Sequence, residues 1–209
     1  MNKKTLLILT TVMGITVSSC KKENTLVVSG NDNPLIANWN TPFETPPFEL
    51  IKNNHFEPAI LEGIDEQEKE IDAIINNSEP ANFENTIAAL DNSGKLLAKV
   101  SSVFFNLTSS DTNDELQKLA QDIAPKMSEH SDNINLNEKL FARVKKVYED
   151  YSVEGKEKLN LTTEQKMLLN NTYKNFVRSG ANLTKENQEK LRKLNSELSL
   201  LSLKYGDNL

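Results

Sequence analysis

From Pro58 onward the apolar residues recur every three or four positions and strand-like alternation is absent, so the body of the chain reads as all-α, about six long amphipathic helices. Pro58 suits a first helical turn, and Ile60, Ile64, Ile71, Ile74 and Ile75 make one stripe on a helix ending near Asn76-Asn77, before Pro80. A second helix is predicted from Asn82 or Phe83 to about Ser109. Its seam, Ile87, Leu90, Gly94, Leu97, Ser101 and Phe104, alternates large and small, and Val100, Val103 and Leu107 add a second stripe that makes it central. Glycine inside a helix costs about 0.5–1 kcal/mol relative to alanine, so Gly94 is expected to admit a neighbouring helix at close range. Thr112 and Glu115 form a capping box ahead of Leu116, Leu119, Ile123, Met127, His130 and Ile134, in a third helix that Pro125 should kink. Asn137 caps a fourth helix carrying Leu140, Phe141, Val144, Val147 and Tyr148, and a polar loop follows around Gly155. Thr162 with Gln165 opens a fifth helix through Met167, Leu168, Phe176 and Val177, with Gly180 at its C-terminal end. Thr184 caps a sixth, where Leu191, Leu194, Leu198, Leu201 and Tyr205 keep 3-4-3-4 spacing. That seam needs a partner; antiparallel pairing with the second helix could cover it, and otherwise the partner lies outside this chain.

The amino terminus has a different pattern. Lys3 and Lys4 precede an uncharged run, Thr5 to Val17, of about 13 residues, short of the ~20 that span a bilayer as a helix, so residues 1–19 are read as a secretory signal peptide. Val17-Ser18-Ser19-Cys20 resembles the lipobox of bacterial lipoproteins, which implies lipidation of Cys20. Residues 20–47, with four of the seven prolines and little periodicity, are expected to be a flexible tether, and residues 48–209 the helical lobe. Two or three acyl chains on Cys20 would hold the protein to a membrane of the cell envelope. Lys21, where some bacteria use Asp for inner-membrane retention, favours the outer membrane or a periplasm-facing position.

Charge and composition then remove whole classes. Thirty acidic against 24 basic residues give a net charge of −6, the wrong sign for a nucleic-acid partner, and cleavage before Cys20 removes two lysines and leaves −8. One cysteine makes no internal disulfide. The two histidines, His55 and His130, are 75 residues apart, and the His-Glu-x-x-His pattern that places two metal ligands and a general base on one helix face is missing. No phosphate-binding glycine loop or nucleophile elbow occurs. His130 lies on an apolar stripe and reads as a hydrogen-bonded core histidine; the acidic pairs Glu66/Glu70 and Glu186/Glu189 read as solvated faces.

Several short strings nonetheless form a set: His55-Phe56-x-Pro58-Ala59, Phe83-Glu-Asn85-Thr86-Ile87, Ser93-Gly94, Phe104-Phe105, Thr112-Asn113-x-Glu115-Leu116-Gln117, His130-x-Asp132, Leu136-Asn137-x-x-Leu140-Phe141-x-Arg143 and Phe176-Val177-x-x-Gly180-Ala181-x-Leu183. Together they resemble the N-terminal helical region of the peptidyl-dipeptidase Dcp branch of the thimet oligopeptidase and neurolysin family, over about residues 42 to 209. The resemblance implies an all-α zinc metallopeptidase with two lobes flanking a deep channel that admits oligopeptides, the Dcp branch removing C-terminal dipeptides. Its zinc ligands and catalytic glutamate lie in the C-terminal lobe, so no catalytic or metal residue carries over to this chain. The expected function is therefore that of an N-terminal lobe, inactive alone, whose partners are the missing catalytic lobe, oligopeptides through the parent enzyme and a membrane through Cys20. The competing reading is a non-catalytic helical lipoprotein that binds peptides or a protein partner.

Overall fold

The computed structural model describes residues 33–152, 160–206 and 208. The expected leader, Cys20 and the loop around Gly155 lie outside the described residues. Within them the long helices are α1 (Phe56–Ile75), α3 (Lys95–Ser110), α4 (Asp114–Asn135), α5 (Glu138–Ser152), α6 (Thr163–Arg178) and α7 (Lys185–Gly206), with α2 (Ala89–Asp91) a single turn. No strand occurs among the described residues, and no described helix is long and apolar enough to cross a membrane.

Helix α1 is the spine. Its first half, through Phe56, Ala59 and Ile60, enters one core with Leu97, Val100, Phe104, Leu116 and Ile123; its last turns, through Ile71 and Ile74, enter a second with Ile87, Leu140, Val144, Leu169 and Phe176. Phe56 and Phe104 meet at 5.2 Å in the first. In the second, Tyr148 stacks on Tyr173 at 3.9 Å and Phe141 on Phe176 at 5.8 Å, which locks α5 to α6. The main helix pairs are α1 with α3, α5 with α6, and α4 with α7.

The single second helix predicted from Phe83 to Ser109 is two pieces. A π-helical turn, Phe83–Ala88, runs into α2, the chain breaks at Asn92-Ser93-Gly94, and α3 begins at Lys95. Gly94 sits in the left-handed region at φ 71, which glycine adopts without a Cβ clash, so it ends one helical segment and starts the next. Close helix approach does occur, at Gly63: a Cβ there would lie 2.8 Å from the Leu97 Cα, so only glycine lets α1 and α3 meet at that crossing.

The stretch from Asn33, read in the sequence as tether, is packed. Leu35 is fully buried in the first core, Asn33 Nδ2 donates to the His55 carbonyl at 2.7 Å, and Trp39 Nε1 donates to the Pro34 carbonyl at 2.8 Å. Lys99 clamps this strap from α3, donating to the Ala37 carbonyl at 2.9 Å with its ammonium 4.5 Å from the Trp39 ring centre. Burial lowers the Lys99 pKa from its ordinary value.

Other starts and stops follow the sequence closely. Thr162 and Gln165 form the expected reciprocal cap of α6, and Asn137 Oδ1 accepts from the Leu140 amide at 3.0 Å. At the end of α6, Gly180 has φ 95, its amide bonds the Val177 carbonyl and the Ala181 amide bonds the Phe176 carbonyl: a Schellman closure. The third start is shifted by one residue: Asn113, not Thr112, caps α4, its Oδ1 accepting from the Leu116 amide at 3.0 Å. Helix α4 continues as one helix through Pro125.

Candidate functional site

The motif residues build scaffold rather than reactive chemistry. Asn85 Oδ1 accepts from the Asn82 amide at 2.9 Å, from Thr86 Oγ1 at 2.9 Å and from Arg143 at 3.1 Å, while its Nδ2 donates to the Pro80 carbonyl at 3.0 Å. Arg143 reaches from α5 to donate also to the Asn77 carbonyl at 3.0 Å. Asn82 caps the π-helical turn, its Oδ1 accepting from the Asn85 amide at 2.8 Å, and Asn85 closes that cap reciprocally and ties the turn to α5 through Arg143.

A second polar node sits between the two cores. His130, buried on α4, shares a 2.8 Å hydrogen bond through Nε2 with Gln67 Oε1, and Gln67 Nε2 donates to Ser93 Oγ at 3.2 Å. The Gly94 amide donates to Glu70 at 2.7 Å. His130 is therefore the hydrogen-bonded core histidine its position on the stripe implied, while Glu70, read as part of a solvated face, serves this turn. His55 lies elsewhere, accepting through Nδ1 from the Lys52 amide at 3.1 Å, next to the start of α1. Among the described residues no three His, Cys, Asp or Glu side chains gather in a way that would hold a metal ion. The donor set here therefore does not fit the zinc that the resemblance implies.

The feature that calls for a partner is α7. Polar groups hold it to α4, where Asn195 Nδ2 donates to Asp132 Oδ1 at 2.7 Å and Arg192 donates to Asn133 Oδ1 at 2.9 Å, and to the turn after α6, where the buried Gln188 donates to the Gly180 carbonyl at 3.5 Å. Leu203 joins the first core near the other end. The predicted apolar seam points elsewhere. Leu194, Leu198, Leu201 and Tyr205 are 61, 61, 59 and 68% exposed, on a stripe rotated by roughly 120° from the polar contacts. The second helix does not cover it, as the sequence allowed; Leu191, its first residue, is half-buried beside Gly180. Met167, placed on the inner face of α6 by spacing, is 60% exposed, and Leu169 takes that place in the core.

Beside the start of α7 an open polar groove of about 720 Å³ is lined by Asn76, Asn133, Asn137, Lys185 and Arg192 among others. Its amides and mixed charges suit a polar ligand better than an apolar one. The polar contacts of α7 were missed from sequence because its leucines dominate the pattern; the signal for them is the second stripe, Gln188, Arg192, Asn195 and Ser199.

No protein-family profile matches the chain. Curated proteins do. It is 38% identical over 177 residues to a dipeptidyl carboxypeptidase of Escherichia coli strain K12, covering 85% of this chain and 25% of that protein. It is 29% identical over 177 residues to an oligopeptidase A of the same strain, again 85% of this chain and 25% of the relative. A thimet-like oligopeptidase of Dictyostelium discoideum is 25% identical over 152 residues, 72% of this chain and 22% of that protein. The chain spans about a quarter of the length of these relatives.

Proposed function

From the premise that this chain is related, along a quarter of their length, to dipeptidyl carboxypeptidase and oligopeptidase A, we propose that it is the N-terminal lobe of a lipid-anchored zinc metallopeptidase that removes C-terminal dipeptides from oligopeptides. The observation that carries this reading beyond relatedness is the uncovered stripe on α7, because water-exposed leucines and a tyrosine at helical spacing are what a lobe shows where its other half is missing. In this reading the six helices form one wall of the peptide channel and the support for the catalytic lobe. Zinc would polarise the peptide carbonyl there, on residues that this chain does not contain. The two polar nodes hold the wall's shape, and the chain by itself hydrolyses nothing.

A peptidase assay decides the matter. The 209-residue chain, supplied with zinc and short peptides, is expected to release no dipeptide, whereas the complete translated product of its gene releases C-terminal dipeptides and loses that activity with a chelator. Dipeptide release by the 209-residue chain, or none by the complete product, defeats the reading. Anchoring is read separately, by acyl-chain labelling that Cys20→Ser should abolish.

A further inference from the structure

The outward stripe of α7 has the spacing of a coiled-coil seam. Leu191, Leu194, Leu198, Leu201 and Tyr205 fall at successive a and d positions of a heptad, and Lys190, Glu197 and Lys204 recur every seven residues along one flank, where a paired helix sets its own charges. The apolar spacing is that of any helix laid on an apolar face; the charged flank beside it is what suits a second helix. The last four seam residues are exposed while the same helix is pinned to α4 by Asn195 and Arg192, so α7 is fixed in orientation before anything covers it.

We infer that this seam receives one amphipathic helix, packed knobs into holes, and that the helix belongs to the same polypeptide, within the three quarters of the relatives' length that has no counterpart here. The inference rests on the functional reading above and names the structural class of the contact. The size of the seam selects a linked occupant. From Leu194 to Tyr205 the helix rises only about 17 Å, and four side chains fall far short of the roughly 20–30 residues a side of a stable complex between separate proteins. A free helix or a second copy would bear the full entropy of association for that contact, whereas a helix on the same chain acts at an effective concentration in the millimolar range. A second copy is the rival to exclude, because one antiparallel register of α7 on itself brings Glu197 against Lys204.

The test places single cysteines, in a Cys20→Ser background, at Leu194, Leu198, Leu201 and Tyr205, with Lys193→Cys as a control off the seam. Maleimide labelling is followed in the 209-residue chain and in the complete translated product of the gene. In the 209-residue chain all five should label quickly. In the complete product the four seam positions should label at least about tenfold more slowly, because labelling then waits on opening, while position 193 stays fast. Hydrogen exchange on the unsubstituted proteins reads the same stripe without mutation. Three results overturn the inference: equal labelling of seam and control in the complete product, protection already present in the 209-residue chain, or protection that grows with concentration alongside a dimer mass in sedimentation. Peptide hydrolysis is scored apart from this. An active complete product with an open stripe defeats the inference and leaves the functional reading standing; a protected stripe on an inactive product does the reverse.

Discussion

The role that spacing assigns to Gly94 falls to Gly63. Gly94 lies on the apolar seam and so reads as a contact glycine, yet it is the hinge between two helical segments, and the contact glycine is Gly63, which no seam marked. Gly63→Ala pushes a methyl into the Leu97 backbone, which cannot swing aside, and should cost about 1–3 kcal/mol in urea unfolding. At Asn85, alanine removes together the acceptor of the Asn82 amide, which is its half of the reciprocal cap, and an acceptor of Arg143, and should cost about 2 kcal/mol. Asn85→Asp keeps both acceptor contacts and should recover most of that loss in the same measurement. His130 was legible because a histidine on an apolar stripe needs a partner; the identity of the partner, Gln67, was not, since 63 residues separate them.

At the scale of elements, capping chemistry was the most legible feature. Asn137, Thr162 with Gln165, Gly180 and Thr184 all act where the local sequence puts them, because each bonds within a turn of its own position. The one shifted cap is testable: Asn113→Ala should destabilise by about 1 kcal/mol, and Thr112→Ala should stay within about 0.5 kcal/mol of the parent in thermal unfolding. Less legible was the break at Asn92-Ser93-Gly94, since apolar spacing runs straight across it; what sets the break is tertiary, the Glu70 and Gln67 side chains of α1 meeting the turn. The strap at Asn33 escaped for the opposite reason. Its apolar residues, Leu35, Ile36 and Trp39, are too few to show a period, and only the core they fill reveals them.

Among the described residues, two cores share α1 while α7 is attached from one side, by polar bonds and by Leu203. Amides of α7 between Leu194 and Tyr205 should therefore exchange about tenfold faster than those of α1 between Ala59 and Ile74 in the 209-residue chain; equal rates would mean that α7 draws stability from a contact not described above. Leu35→Ala, ahead of the long helices in sequence yet inside the first core, should cost about 2–5 kcal/mol, read by chemical denaturation, because it empties a fully buried site. The seating of that one leucine also sets a length scale. Twelve residues, Lys21 to Asp32, lie between Cys20 and Asn33, so the thirteen steps from one to the other cannot exceed about 47 Å even when pulled straight. Were Cys20 acylated as proposed above, that distance would be the furthest Asn33 could stand from the lipid surface, and the leucine two residues on would hold the first core on the same short leash.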